Sequence, residues 1–126
     1  MLKLVFHIGP SPYSISASNV IEIVPLLPMR AIAGSPEYFA GMLEYRGRQI
    51  PVIDLCSLVT GKSAPKCFST RIMVISALKK NQPQLLGLIA EDVTQMIRNG
   101  DNMSAADIET VLPHSMYDFL LDLAAS

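Results

Sequence analysis

Two histidines, two cysteines and eleven carboxylates carry most of the reactive chemistry of this 126-residue chain, and their spacing decides what they can do. His7 falls in an apolar run and His114 in a Pro-His-Ser turn more than a hundred residues away, so neither has a nearby acid or nucleophile in sequence. Glu91 and Asp92 are adjacent in a strand-like segment, where neighbouring side chains point to opposite faces and make a poor cation cage. Cys56 and Cys67 are eleven residues apart, without a Cys-x-x-Cys spacing or a close histidine. That spacing suits neither a zinc site nor a dithiol. Cys56 sits between apolar residues and reads as a buried thiol in a reducing, intracellular setting. Asp54 follows a strand and precedes Leu55-Cys56-Ser57-Leu58-Val59-Thr60 and then Gly61. In that place a carboxylate caps a helix by accepting backbone N–H groups, a reading preferred to a catalytic one. Arg46 stands at a hairpin tip, where its planar fork suits a partner's carboxylate. No phosphate loop, Gly-x-Gly-x-x-Gly or Gly-x-Ser-x-Gly elbow is present, so the chain is expected to recognise rather than to catalyse.

The elements that must position these residues are mostly strands. Leu2 to Ile8 alternates apolar and polar residues, Gly9 to Pro12 is a turn, and Tyr13 and Ile15 alternate with serines. Val20 to Val24 is β-branched, and Pro25 and Pro28 end its pairing. Ser35-Pro36-Glu37 reads as the cap and first turn of a short helix closed by Gly41. Two strands, Met42 to Tyr45 and Arg48 to Ile53, flank Arg46-Gly47, with Gly47 supplying a positive φ. Pro51 places the second of them at an edge or a bulge. Arg71 to Leu78 and Leu85 to Ala90 form a further pair, continued by Val93 to Ile97 after a bend at Glu91-Asp92. Ser104-x-x-Asp107 and Ser115-x-x-Asp118 resemble capping boxes and predict helix over 104–125. Met116, Phe119, Leu120, Leu123 and Ala124 line one face of that helix, a pattern that more often covers a core than a partner. Short strands punctuated by Gly and Pro make the chain mainly β, with small barrels favoured over an α/β sheet.

Half of the residues are apolar, which sustains one domain over 1–126 with a genuine core. Residues 1–80 carry nine Lys or Arg against four acids, and residues 81–126 one against seven. Such a split pairs the chain's ends or presents two differently charged faces. The longest basic run is Lys79-Lys80, so nucleic acid is not an expected partner. The N-terminus lacks the apolar core of a signal peptide, and no apolar stretch approaches a membrane span. Together these predict a cytoplasmic protein without membrane insertion.

One block says more than composition. Val20-Ile21-Glu22-Ile23, then Gly34-Ser35-Pro36, then Gly41 through Leu55 with Arg46-Gly47, Pro51-Val52 and Asp54-Leu55 resembles the CheW-like domain family. The family signature is V-x-E-I, G-x-P and G-x-x-x-x-R-G-x-x-x-P-V-x-D-L. Ser69 to Ile75 and Gly87 to Val93 look like the family's next two strands, with Glu91 where Asp is usual. Tyr45-Arg46-Gly47 and Leu86 to Glu91 look closest to the coupling proteins of Wsp-type surface-sensing pathways. The resemblance covers residues 2–98. It implies two small five-stranded SH3-like lobes with short helices. It also implies a non-enzymatic adaptor in chemotaxis or a related pathway, without cofactor or metal. Its partners would be the regulatory domain of a CheA-type histidine kinase and the cytoplasmic tip of a methyl-accepting chemoreceptor, with the chain recruited to membrane receptor arrays.

By the same resemblance Val20, Glu22, Ile23, Gly41 and Arg46 are the partner-binding residues, and Gly47, Pro51 and Asp54 shape the motif. Residues 99–126 depart from the family pattern. The last strands are either missing or replaced by the C-terminal helix, which leaves an open edge and predicts a homodimer or an exchanged strand or helix. Two alternatives stand beside the adaptor: a similar domain belonging to a larger kinase or fusion protein, and a small-ligand module using the groove between lobes. Met1 directly before the first strand favours a free-standing chain.

Overall fold

The computed structural model describes residues 2–79, 82–98 and 106–107. Alternation of apolar and polar residues makes β1 (Leu2–Ile8), which turns at Gly9-Pro10 into β2 (Ser11–Ser16). The two pair antiparallel, and Phe6 lies directly opposite Tyr13 with the rings stacked at 6.3 Å. A single 3-10 turn (Ala17–Asn19) leads into β3 (Val20–Pro25). Then come β4 (Phe39–Tyr45), β5 (Arg48–Asp54), α1 (Leu55–Thr60), β6 (Arg71–Lys79), β7 (Gln82–Arg98) and the two-residue β8 (Ala106–Asp107).

The strand order is β3-β6-β7-β1-β2-β8, with β5 joining β7 in parallel and carrying β4 on its other side. One half of the molecule is therefore β3, β6, the first part of β7, β5 and β4. Backbone bonds between Arg30 and Met42, at 2.8 and 2.9 Å, bring the chain after β3 back to β4, so this half curls into a small five-stranded barrel. The other half is the second part of β7 with β1, β2 and β8. The 17-residue β7 belongs to both: residues 82–90 pair with β6, and Glu91 to Arg98 pair with β1. At the crossing Asp92 adopts φ +51, and the register with β1 shifts between Val5 and His7. Such a bulge bends the strand from one half into the other.

A single apolar cluster runs through both halves, from Leu4, Phe6 and Ile8 through Val52, Ile53 and Ile72 to Leu88 and Val93. Gly87 lets β7 approach β5: a Cβ there would lie 2.8 Å from a Val52 methyl and 3.1 Å from one of Ile72.

The lobed, mainly β architecture is the one the sequence implies, with four local corrections. Ser35-Pro36-Glu37 opens no helix; the Ser35 hydroxyl instead donates back to the Ile32 carbonyl at 2.7 Å, and residues 36–39 make one turn. A hydroxyl spent on the preceding backbone is not available as a cap. Gly41 does not close a helix either; it is a buried residue inside β4. Pro51 lies at an effective edge only on one side: it faces Met42 of β4, and the parallel ladder to β7 begins at Val52. Residues 106–107, expected in a helix, pair in parallel with Tyr13 and Ser14 as β8. The remainder of the predicted 104–125 helix lies outside the described residues.

Candidate functional site

The sequence motif converges where β3 meets the β4–β5 hairpin. β3 ends the sheet on one side and is paired only with β6 among the described residues. Its register shifts between Val20 and Glu22, so Ile21 is an extra residue bulged out of the ladder. The alternation expected for Val20, Glu22 and Ile23 is broken there. Val20 and Ile23 pack partly against the core, whereas Ile21 is 49% exposed. Ile21 was not among the expected binding residues; two adjacent β-branched residues gave no sign of which would bulge.

At the hairpin tip Arg46 (φ +49) and Gly47 (φ +78) are both left-handed, the backbone of a type I′ turn. Gly47 is the usual residue for such a turn, whereas Arg46 holds the same backbone region despite its Cβ. The turn lays Arg46 across the face of Tyr45, with the guanidinium carbon 5.2 Å from the ring centroid. One Glu22 oxygen, Oε1, accepts from the Tyr45 hydroxyl at 2.5 Å and from Arg46 Nη2 at 2.7 Å. The tyrosine hydroxyl is held above its ordinary pKa, first because its proton bonds the Glu22 carboxylate. The structure thus unites Glu22, 24 positions away in sequence, with Arg46, and adds Tyr45, which sequence reasoning passed over. The Arg46 side chain is 70% exposed and that of Glu22 39%. This arginine is pre-oriented by an intramolecular carboxylate while most of its donors face solvent.

Gly41 stands apart from this surface. It is buried with φ +142, and a Cβ would lie 2.8 Å from the Arg30 carbonyl oxygen. Its place is the seam that joins Arg30 to Met42, with no surface to offer a partner. Asp54 is the helix cap the sequence implies. Its Oδ1 accepts from the N–H groups of Cys56 and Ser57 at 3.0 and 3.2 Å, and its Oδ2 from Ala64 at 3.0 Å. Both oxygens are occupied in a nearly closed pocket, and Gly61 ends the helix in the left-handed conformation.

The remaining reactive side chains are dispersed. Among the described residues no three His, Cys, Asp or Glu side chains gather at metal-binding distance. Cys56 is buried, and desolvation first, then the nearby Glu91 charge, push its pKa up to about 12, so the thiol holds its proton. Exposed Cys67 is shifted down, first by hydrogen bonds from Ser69 and Thr70. His7 Nδ1 lies 3.9 Å from Asp92 Oδ2. A groove of about 500 Å³ runs beside β3, lined by Ile23, Val24, Leu26, Phe68 and Arg71. Phe68 stands 89% exposed beneath the Arg71 guanidinium. Another cavity, of about 560 Å³, lies between Leu26–Met29, Phe39 and Ala64.

The chain is similar to proteins of one kind. It is 27% identical over 100 residues to the probable chemotaxis protein CheW of Rhizobium etli, covering 79% of this chain and 62% of that one. It is 27% identical over 113 residues to the chemotaxis protein CheW of Helicobacter pylori, covering 90% and 63%. The crystal structure of the scaffolding protein TtCheW from Thermoanaerobacter tengcongensis superposes with a TM-score of 0.68 at 29% identity, covering 80% of this chain and 63% of that one. The chain thus spans less than two thirds of the length of each of these relatives. The profile of the CheW-like domain matches residues 3–110, and the chain belongs to that family.

Proposed function

We propose that the protein is a non-enzymatic signalling adaptor that couples methyl-accepting chemoreceptors to a CheA-type histidine kinase. Recruitment by those receptors would bring it to membrane arrays; no helix among the described residues is long and apolar enough to cross a membrane. The relatives it resembles are named as chemotaxis and scaffolding proteins. The observation that carries the reading is the Glu22–Tyr45–Arg46 cluster beside the bulged β3. A rigid turn presents an oriented, largely exposed guanidinium next to exposed Ile21 and half-buried Val20 and Ile23. A surface of apolar contacts around one charged fork suits protein recognition, where arginine is enriched among the residues that dominate affinity. It has no nucleophile, and the only carboxylate in it is spent on Tyr45 and Arg46.

Isothermal titration of the chain against a CheA-type regulatory domain tests this. Arg46→Ala is expected to weaken binding about tenfold, the loss of roughly 1.4 kcal/mol typical of a modest contact, with the melting temperature unchanged. Equal affinity of Arg46→Ala and the parent would remove the hairpin tip from the interface. A well-folded chain that binds neither kinase domain nor receptor tip would end the adaptor reading.

A further inference from the structure

One carboxylate spans the bend in β7. Glu91 is the last residue before Asp92 turns the strand from the β6 side to the β1 side. Its Oε2 accepts from the backbone N–H of Gly9, in the β1–β2 turn of one half, at 2.8 Å. The same oxygen accepts a hydrogen bond from the thiol of Cys56, on α1 directly after β5 of the other half, at 3.6 Å. Gly9 also lies close under α1: a Cβ there would touch the Thr60 methyl at 3.8 Å. Three chain segments far apart in sequence therefore meet on one oxygen at the single strand common to both halves.

We propose that Glu91 is a positioning residue, a latch that fixes the angle between the two halves by tying the β1–β2 turn to α1. Backbone continuity through β7 and the shared apolar cluster keep the halves joined, but a bulged strand bends locally and apolar packing is not directional. Side-chain hydrogen bonds across the bend add a directional tie. The Cys56 thiol is suited to the task because it stays protonated and can only donate to the carboxylate. Aspartate, one methylene shorter, would not span from β7 to both donors at once. On the adaptor reading, on which this use rests, a partner touching both halves meets a surface already set at one angle and loses less freedom on binding.

The latch is tested without any partner, so its failure would not touch the adaptor reading. Spin labels are placed on exposed positions of the two halves, Ser11→Cys and Arg48→Cys, in a Cys67→Ser background; buried Cys56 stays unlabelled. The distance distribution and the exchange rate of the Gly9 amide are then measured in the parent chain, Glu91→Asp, Glu91→Gln and Ile75→Val. A narrow distribution in the parent should broaden in Glu91→Asp, with Gly9 exchange at least about tenfold faster, as expected for losing a hydrogen bond to a charged acceptor. Glu91→Gln keeps length and an acceptor oxygen and should restore most of the order. Ile75→Val lowers stability in the core away from the bend and should leave both readouts at parental values. Unchanged distributions in Glu91→Asp, or equal broadening in Ile75→Val, would overturn the proposal.

Discussion

Glu22, Tyr45 and Arg46 show at the residue scale what local sequence does and does not contain. The turn at Arg46-Gly47 was legible because a Gly between two apolar runs announces a hairpin. The carboxylate that meets the arginine was not, since nothing in the spacing of 22 and 46 says that β3 and the hairpin share a corner. Asp54 was legible as a cap: a carboxylate between a strand and a Gly-ended apolar stretch meets orphan helix N–H groups, and it takes those of Cys56 and Ser57, whereas its bond from Ala64 required the fold. Cys56 was legible as buried but not as a donor to Glu91, which required the fold. That burial has a consequence for pH. The folded thiol keeps its proton up to about 12, whereas an exposed one releases it near its ordinary 9.0. Between those values the folded state binds the extra proton, so stability falls as pH rises from about 9 towards 12 and is unaffected by this group below 9. Urea denaturation across pH 8–11 should show the parent losing stability relative to Cys56→Ala, at no more than about 1.4 kcal/mol per pH unit. Parallel curves would show that the thiol titrates normally.

At the scale of elements, strands were easier to read than the points where they touch. β1, β3, β5, β6 and α1 lie close to where their patterns put them, because alternation and capping are local. Gly41 differs from its local pattern, which suggests the end of a helical turn. Its purpose is visible only when the backbone of Arg30 arrives within van der Waals contact. Gly41→Ala should therefore destabilise the protein by about 1–3 kcal/mol, by forcing a Cβ against the Arg30 carbonyl and straining a positive φ. Chemical denaturation measures this, and loss of protection at the Arg30 and Met42 amides would locate it. An alanine variant as stable as the parent would mean that the seam shifts at no cost. The β3 bulge was equally invisible, because a register shift is a property of the pair β3–β6 and not of either sequence.

Across the whole molecule, the signature over residues 20–55 fixed the family, and the lobed architecture followed from it. The reading of residues 104–107 differs because Ser104 and Asp107 have the spacing of a capping box, whereas residues 106 and 107 extend the sheet. Beyond Tyr13 and Ser14, the outer edge of β2 has no strand partner among the described residues. An edge of this kind recruits another strand unless something covers it. The homodimer that the sequence leads one to expect would use that edge. Multi-angle light scattering should show mass rising from one chain towards two with concentration. A constant single-chain mass at every concentration would rule the homodimer out.

The route of β7 also sets an order of assembly during synthesis. Of the strands described, β1 leaves the ribosome before the others, and β2 can close on it as a local hairpin. Its other side waits for residues 91–98, which are made some ninety residues later. The β3–β6 and β6–β7 pairings meanwhile close over shorter spans. The nascent β1–β2 hairpin therefore waits through the synthesis of those residues with one side bare and Leu4, Phe6 and Ile8 uncovered. It is the segment on which a ribosome-associated chaperone would have most to hold.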